Sequence, residues 1–449
     1  MRKQEERNRY FFGLGTIGRD MLYAFKTNTL LYFLSNVLSL PIQTFAAASL
    51  VLSLLRIVSA VNDPIIGMVI DNIQSPWGKL KPAILAGGIG SAVLSLVIFS
   101  DIGTGAAYIL VFALVNVLWD LCYGFNDIAY WTMLPALSAE QRQREKNGAF
   151  ARLCANAGCY IALIFWEPAT SALGNTPGAW FRVAAFISAV YLAGLCFPLF
   201  GVKERGAGRA GRPRSTAKKM WKAMAANDQL MWLALMIVLN AVCYFLTLGF
   251  AAYYMQYLYG DRGMYAVLSA VGGAGQILAM ALFPMLSRFS RSQILTAAIF
   301  FNILGYILFI FADSSMLLVA AAAVLVYFCQ AVIQLLEVLF MADTIEYGQW
   351  KLGERNEAVT FSAQTLANKV ASALATGIVS VTVVLAGIKR GNVAAESISM
   401  YGALTVKTAM CVVPIFLLLC CYYIFRKKYV ISQTFYKRIL KDLKERDSQ

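Results

Sequence analysis

The chain has 449 residues, 59% of them hydrophobic and only 14% charged, with a net charge of +15 and no histidine. A soluble protein needs roughly 25% charged residues to cover its surface, so the composition excludes a water-soluble enzyme and points to a polytopic helical membrane protein. The missing histidine also excludes His-ligated zinc, Ser-His-Asp hydrolysis and imidazole proton relays.

Apolar runs predict twelve spans, at 10–38, 42–72, 79–100, 104–137, 145–172, 178–202, 229–259, 263–288, 292–313, 315–346, 356–388 and 400–426. About 20 residues suffice to cross the hydrocarbon core, so the longer runs predict helices that tilt or project from it. They are continuous and do not alternate, which argues against an outer-membrane barrel. The basic N-terminus contains Glu5 and Glu6, and the first span carries Asp20; it reads as a retained helix, not a cleaved signal peptide. The insert at 203–228 has Gly206, Gly208, Gly211 and Pro213 among its cations. It separates two six-helix halves, 1–202 and 229–426, and leaves a tail at 427–449 that reads as an amphipathic surface helix without chemistry of its own. Glu145-Lys146-Asn147-Gly148-Ala149 is echoed by Glu354-Arg355-Asn356-Glu357-Ala358, an offset of 209 residues, as a duplicated unit would produce.

Most of the 39 Lys and Arg residues fall in short segments on one side of these spans. By the positive-inside rule that side is cytoplasmic, which places both termini inside. The basic charge therefore reports topology and contact with anionic lipid headgroups, and nucleic acid is not an expected partner. The nine cysteines all lie in apolar spans with no CxxC pair, and read as free buried thiols. No metal site and no cofactor is expected, and the absence of a Walker loop argues against ATP-driven transport.

Ten charges sit inside the apolar spans: Asp20, Asp63, Asp120, Asp127 and Glu337, with Arg19, Lys26, Arg56, Arg152 and Lys369. Each costs at least about 2.5 kcal/mol at membrane depth unless it is paired or wet, so the default reading is a solute pathway. Carboxylates accept hydroxyl hydrogen bonds, which is how neutral polyols are held, so Asp20 and Asp127 read as sugar acceptors. Trp131, one turn after Asp127, offers an apolar face to a pyranose ring. Arg152 and Lys369 either donate to the solute or neutralise the acids. Lys26, Asp120 and Glu337 either tune substrate choice or pair with each other. Asp63 beside Asn62 can hold a hard monovalent cation or a proton, or it can bridge to Arg56 two turns earlier.

Two six-helix halves around a central site describe the major facilitator architecture, an all-α membrane fold of two pseudo-symmetric bundles. Within it, Asn62-Asp63-Pro64-Ile65-Ile66-Gly67, then Asp71 and Trp77-Gly78-Lys79-Leu80-Lys81-Pro82, resembles the signature of the glycoside–pentoside–hexuronide:cation symporters, the melibiose-permease-like family. Gly13-Leu14-Gly15 leading to Asp20, Asn126-Asp127-Ile128 with Trp131 and Pro135, and Ala342-Asp343-Thr344-Ile345-Glu346-Tyr347-Gly348 with Gln364, Thr365 and Lys369 follow in the family's order.

The resemblance implies a carrier, not an enzyme. It would be a secondary symporter of the bacterial cytoplasmic membrane, a monomer, taking up a sugar or glycoside with a proton or sodium ion by alternating access. It implies substrate binding by Arg19, Asp20, Asp127, Trp131, Arg152 and Lys369, with Gln364, Thr365 and Asn368 nearby, and cation binding at Asp63 with Asn62 and Ser59. The chain departs from the pattern in two places: Ser59 stands where a second Asp is usual, and Gly124 where a threonine oxygen is. Both remove compensation for a bare sodium ion and favour proton coupling. Asp71, Arg142, Asp343, Glu346 and Arg355 read as charged latches that hold the halves together on the inner side. A lysolipid carrier of the same fold is the alternative, one that would need an apolar crevice beside a headgroup site.

Overall fold

A computed structural model describes residues 2–73, 75–78, 80–103, 105–137, 141–202, 226–286, 288–312, 315–353, 357–390, 393–394 and 398–447. The described chain is helical apart from one two-stranded ribbon, β1 (Lys389–Arg390) with β2 (Val393–Ala394). In order, the helices are α1 (Arg2–Tyr32), α2 (Ile42–Asp71), α3 (Leu80–Ile98), α4 (Ala106–Met133), α5 (Gln141–Ala172) and α6 (Pro177–Cys196). They continue as α7 (Asp228–Tyr253), α8 (Met264–Leu286), α9 (Arg291–Phe311), α10 (Met316–Leu352), α11 (Glu357–Leu385), α12 (Met400–Lys427) and α13 (Gln433–Asp447). A π-helical turn at Thr408–Val412 interrupts α12, and others extend α1, α6 and α7. Among the described residues, eleven helices are long and apolar enough to cross a membrane. The first helix is not one of them, because Arg19, Asp20 and Lys26 interrupt its apolar run.

Helix ends follow local chemistry. The Thr176 hydroxyl accepts from the Ala179 amide ahead of Pro177, whose fixed φ suits the first helical position. Ser290 and Gln293 form a reciprocal capping box at the start of α9. Gly353 ends α10 at φ 77°, a left-handed conformation that glycine adopts without strain.

Contacts divide the chain into two compact units. The first comprises Met1–Gly211, Asp261–Ser269 and Val383–Ser399. In it α1 packs on α5 and α6, and α4 on α2 and α3. Backbones approach closely: a Cβ on Gly158 would lie 2.1 Å from the Ile17 carbonyl oxygen, and one on Gly18 only 2.7 Å from the backbone of Tyr191. Small residues permit this contact between apolar helices, and here it fixes the height and rotation of the neighbouring Arg19. An aromatic cluster of Phe25, Phe33, Phe99, Trp166 and Trp180 fills one end of the unit.

The second unit comprises Arg212–Gly260, Ala270–Thr382 and Met400–Gln449. There α9 packs along α10, and α7 sits against α10 and α12. The tail helix α13 docks one apolar face on α10. Its Ile439 is fully buried and joins Tyr347 and Ile431 in a small core, with Trp350, Phe435 and Leu443 packed around it.

Candidate functional site

The first unit gathers five of the expected substrate residues around one guanidinium. Arg19, only 1% exposed, places Nη1 2.9 Å from Asp127 Oδ1 and Nη2 3.0 Å from Asp20 Oδ2. Its charge also lies 4.8 Å from the ring centre of Tyr130 and 5.0 Å from that of Trp131. Arg152 of α5 brings a second guanidinium to within 4.6 Å of the Trp131 ring. Tyr130 is held in turn by donating its hydroxyl to the Phe12 carbonyl across the α1–α4 contact.

A buried ion pair is held only when geometry and extra hydrogen bonds offset desolvation. Here one cation serves two acids and two aromatic faces. The side chain of Asp127 is 41% exposed and that of Asp20 24%, while Arg152 is exposed. Arg19 donates to one oxygen of Asp20 and lies within ion-pair distance of one oxygen of Asp127 without a hydrogen bond to it. Among the described residues, no hydrogen bond reaches Asp127 Oδ2 or Asp20 Oδ1. The arrangement can therefore accept hydrogen bonds from hydroxyl groups beside an indole face and an exposed guanidinium.

The expected cation group lies on α2. Ser59, Asn62 and Asp63 are half-buried there, and the Ser59 hydroxyl turns back to the Arg56 carbonyl at 3.3 Å. Arg56 donates from Nη1 to the Tyr23 hydroxyl at 3.1 Å. Gly124 of α4 faces the same helix: a Cβ there would come within 2.8 Å of Ile66 Cδ1. The position where the family offers a threonine oxygen is thus taken up by close helix contact.

The remaining substrate candidates fall in the second unit. Gln364, Asn368 and Lys369 are half-buried on α11, and Thr365 beside them is exposed. Of the candidate latches, Asp343 is clasped by Arg291 Nη1 at 2.9 and 2.7 Å, and Glu346 accepts from the Tyr436 hydroxyl of α13. Both contacts are made inside the second unit. The side chains of Asp71 and Arg142, and the whole of Arg355, lie outside the described residues.

Of the charges left without a role, Lys26 pairs with Asp120 at 3.3 Å, while the buried Glu337 accepts from Asn240 Nδ2 at 3.1 Å. One pair escapes hydropathy reading. Glu167, 3% exposed inside α5, lies 3.6 Å from Arg262 Nε. Arg262 also donates to Thr170 at 3.0 Å and lies over the rings of Tyr32 and Trp166. The signal was an acid next to Pro168 in an otherwise apolar run, with a cation in the short loop after 259.

Residues 11–432 match the family described as MFS/sugar transport protein. The chain belongs to that family, in agreement with its resemblance to the glycoside symporters. It is 30% identical to the raffinose carrier protein of Pediococcus pentosaceus, over 98% of this chain and 72% of that one. It is 29% identical to a lactose permease of Lactobacillus delbrueckii subsp. bulgaricus, over 98% and 73%. The fold also matches the nucleoside transporter NupG, in its D323A form, with a TM-score of 0.69 at 14% identity, covering 93% of this chain and 99% of that one. The protein is a multi-pass transporter of the cytoplasmic membrane, and not an enzyme.

Proposed function

We propose that this protein is a secondary carrier that takes up a sugar or glycoside together with a monovalent cation, the proton favoured over sodium. The observation that carries this reading is the Arg19 layer, in which Asp20 and Asp127, each with at least one carboxylate oxygen that takes no hydrogen bond among the described residues, sit beside Trp131 and Arg152. Carboxylates accept hydroxyls, the indole takes the C–H face of a ring, and the guanidinium donates. The sugar chemistry named for the raffinose and lactose relatives supports the same class of solute. In this reading Lys369, Gln364, Thr365 and Asn368 also contact the solute. Twelve spans form two six-helix halves with both termini cytoplasmic, and alternating access releases the solute inside. Asp71, Arg142, Asp343, Glu346 and Arg355 act as gates on the inner face.

Proton preference follows from the donor set on α2. Asp63 has an amide and a hydroxyl near it in sequence where a sodium ion would want a second carboxylate. A protonated acid needs no such compensation in a low dielectric. The test is uptake of raffinose, lactose and nitrophenyl galactoside into proteoliposomes under imposed proton or sodium gradients. Proton-driven accumulation of a sugar is expected, and Asp63→Asn should abolish accumulation while sparing downhill exchange. Uptake driven by sodium alone would overturn the proton preference. Uptake of a lysophospholipid with no sugar uptake would overturn the whole reading.

A further inference from the structure

The Arg19 layer is one of two on the same seam. Between α1 and α4 the facing pairs run in antiparallel register: Arg19 meets Asp127, Tyr23 meets Tyr123, and Lys26 meets Asp120. Lys26 is fully engaged, with Nζ 3.3 Å from Asp120 Oδ1 and 3.8 Å from the centre of the Trp119 ring. Trp119 stacks on Tyr123 at 4.9 Å, and Tyr123 on Tyr23 at 5.1 Å. Arg56 of α2 braces the Tyr23 hydroxyl.

The second layer repeats the plan of the first. A buried cation, 3% exposed, pins one oxygen of an acid, and among the described residues no hydrogen bond reaches Asp120 Oδ2. The Tyr23 ring, 38% exposed, supplies the accessible aromatic surface between the layers. Fixed charges at this depth tolerate water and not lipid, so the open side of the seam is wet. Seven residues separate Arg19 from Lys26, about 10.5 Å at 1.5 Å per residue. That is longer than one pyranose ring and suits two rings joined by a glycosidic bond. The second layer holds two cations, Lys26 and Arg56, beside the one acid Asp120.

We propose that Tyr23, Asp120 and Arg56 form a second-ring subsite, so that the α1–α4 seam holds a saccharide of two or more rings along its length. This rests on the sugar reading of the Arg19 layer. Tyr23 takes the C–H face of the second ring, Asp120 Oδ2 accepts from one of its hydroxyls, and Arg56 positions Tyr23.

The test is equilibrium binding of galactose, lactose and raffinose to the purified full-length protein. Lactose and raffinose should bind about tenfold more tightly than galactose, a difference of about 1.4 kcal/mol. Tyr23→Ala and Asp120→Asn should each remove that advantage and leave galactose within about twofold of its original affinity. Asp120→Asn leaves Lys26 facing a neutral amide, so Tyr23→Ala, at an exposed position, carries the test if the former does not fold. Equal weakening of galactose and lactose by Tyr23→Ala, or no effect on either, overturns the subsite. Equal affinity of the unaltered protein for all three sugars also overturns it while leaving the sugar reading intact. Failure to bind any sugar overturns both.

Discussion

The two units keep polar groups among their helices by opposite means. The first uses full charges, paired across α1 and α4: Arg19 with Asp20 and Asp127, and Lys26 with Asp120. In the interior of the second, Asn240, Asn302 and Gln330 are buried, and Glu337 takes an amide as its partner. Two of its ion pairs take one partner from the first residue of a helix, Arg291 with the buried Asp343 and Asp228 with Lys351. Charged acceptors bind hydroxyls more strongly than amides do. The lesson is that the first unit gathers paired charges able to grip a polyol, whereas the interior of the second relies more on buried amides.

Five substitutions break or sharpen that contrast. The largest effect is expected from Arg19→Met, which leaves two acids without their shared cation. Breaking a buried pair from one side costs about 3–5 kcal/mol, so a large drop in the thermal midpoint and loss of sugar binding should appear together. Retained binding would remove Arg19 from the centre of the site. Next come Asn302→Leu and Gln330→Leu. Among the described residues, neither amide has a hydrogen-bond partner for its side-chain nitrogen or oxygen. An unmet buried polar group costs about 1–3 kcal/mol, so both changes should raise the thermal midpoint. A fall would show that the second interior is hydrated and its polarity in use.

A smaller effect belongs to Trp350→Phe, which deletes the bond from the indole nitrogen to Asp442 at 3.0 Å. Loss of about 1 kcal/mol of docking should read as faster limited proteolysis of α13, with transport unchanged. The smallest is Glu337→Gln. It keeps an acceptor for Asn240, so stability should move by no more than about 0.5 kcal/mol, as an interior that relies on amides requires. A shift as large as that of Arg19→Met would mean that Glu337 works as a charge and that the contrast is false.

Much of the helical layout was legible because apolar run length and helix length report the same thing. The spans expected at 42–72 and 178–202 correspond to helical segments Ile42–Asp71 and Pro177–Gly201. The clustering of Arg19, Asp20, Asp127, Trp131 and Arg152 was legible only through motif order, since composition says nothing about which helices touch. Register was not legible. Lys26 and Asp120 are 94 positions apart, and only the packing of α1 against its neighbours turns their spacing into a pair. The docking face of the tail was not legible for a related reason. Amphipathic periodicity marks one apolar face on Gln433–Asp447 but not its target, which is the Tyr347–Trp350 end of α10. Glu167 was missed because one acid barely lowers the mean hydropathy of a long apolar run.

The glycine contacts of α1 have a mechanical consequence. With Gly158 pressed on the Ile17 carbonyl and Gly18 on the Tyr191 backbone, even a methyl group would collide, so α1 has no room to roll or slide on α5 and α6. Close-packed interiors switch between discrete arrangements and do not deform continuously. If the proposed carrier cycle holds, the Arg19 layer therefore travels as an undistorted cassette, with the same aim at the start of the stroke as at the end.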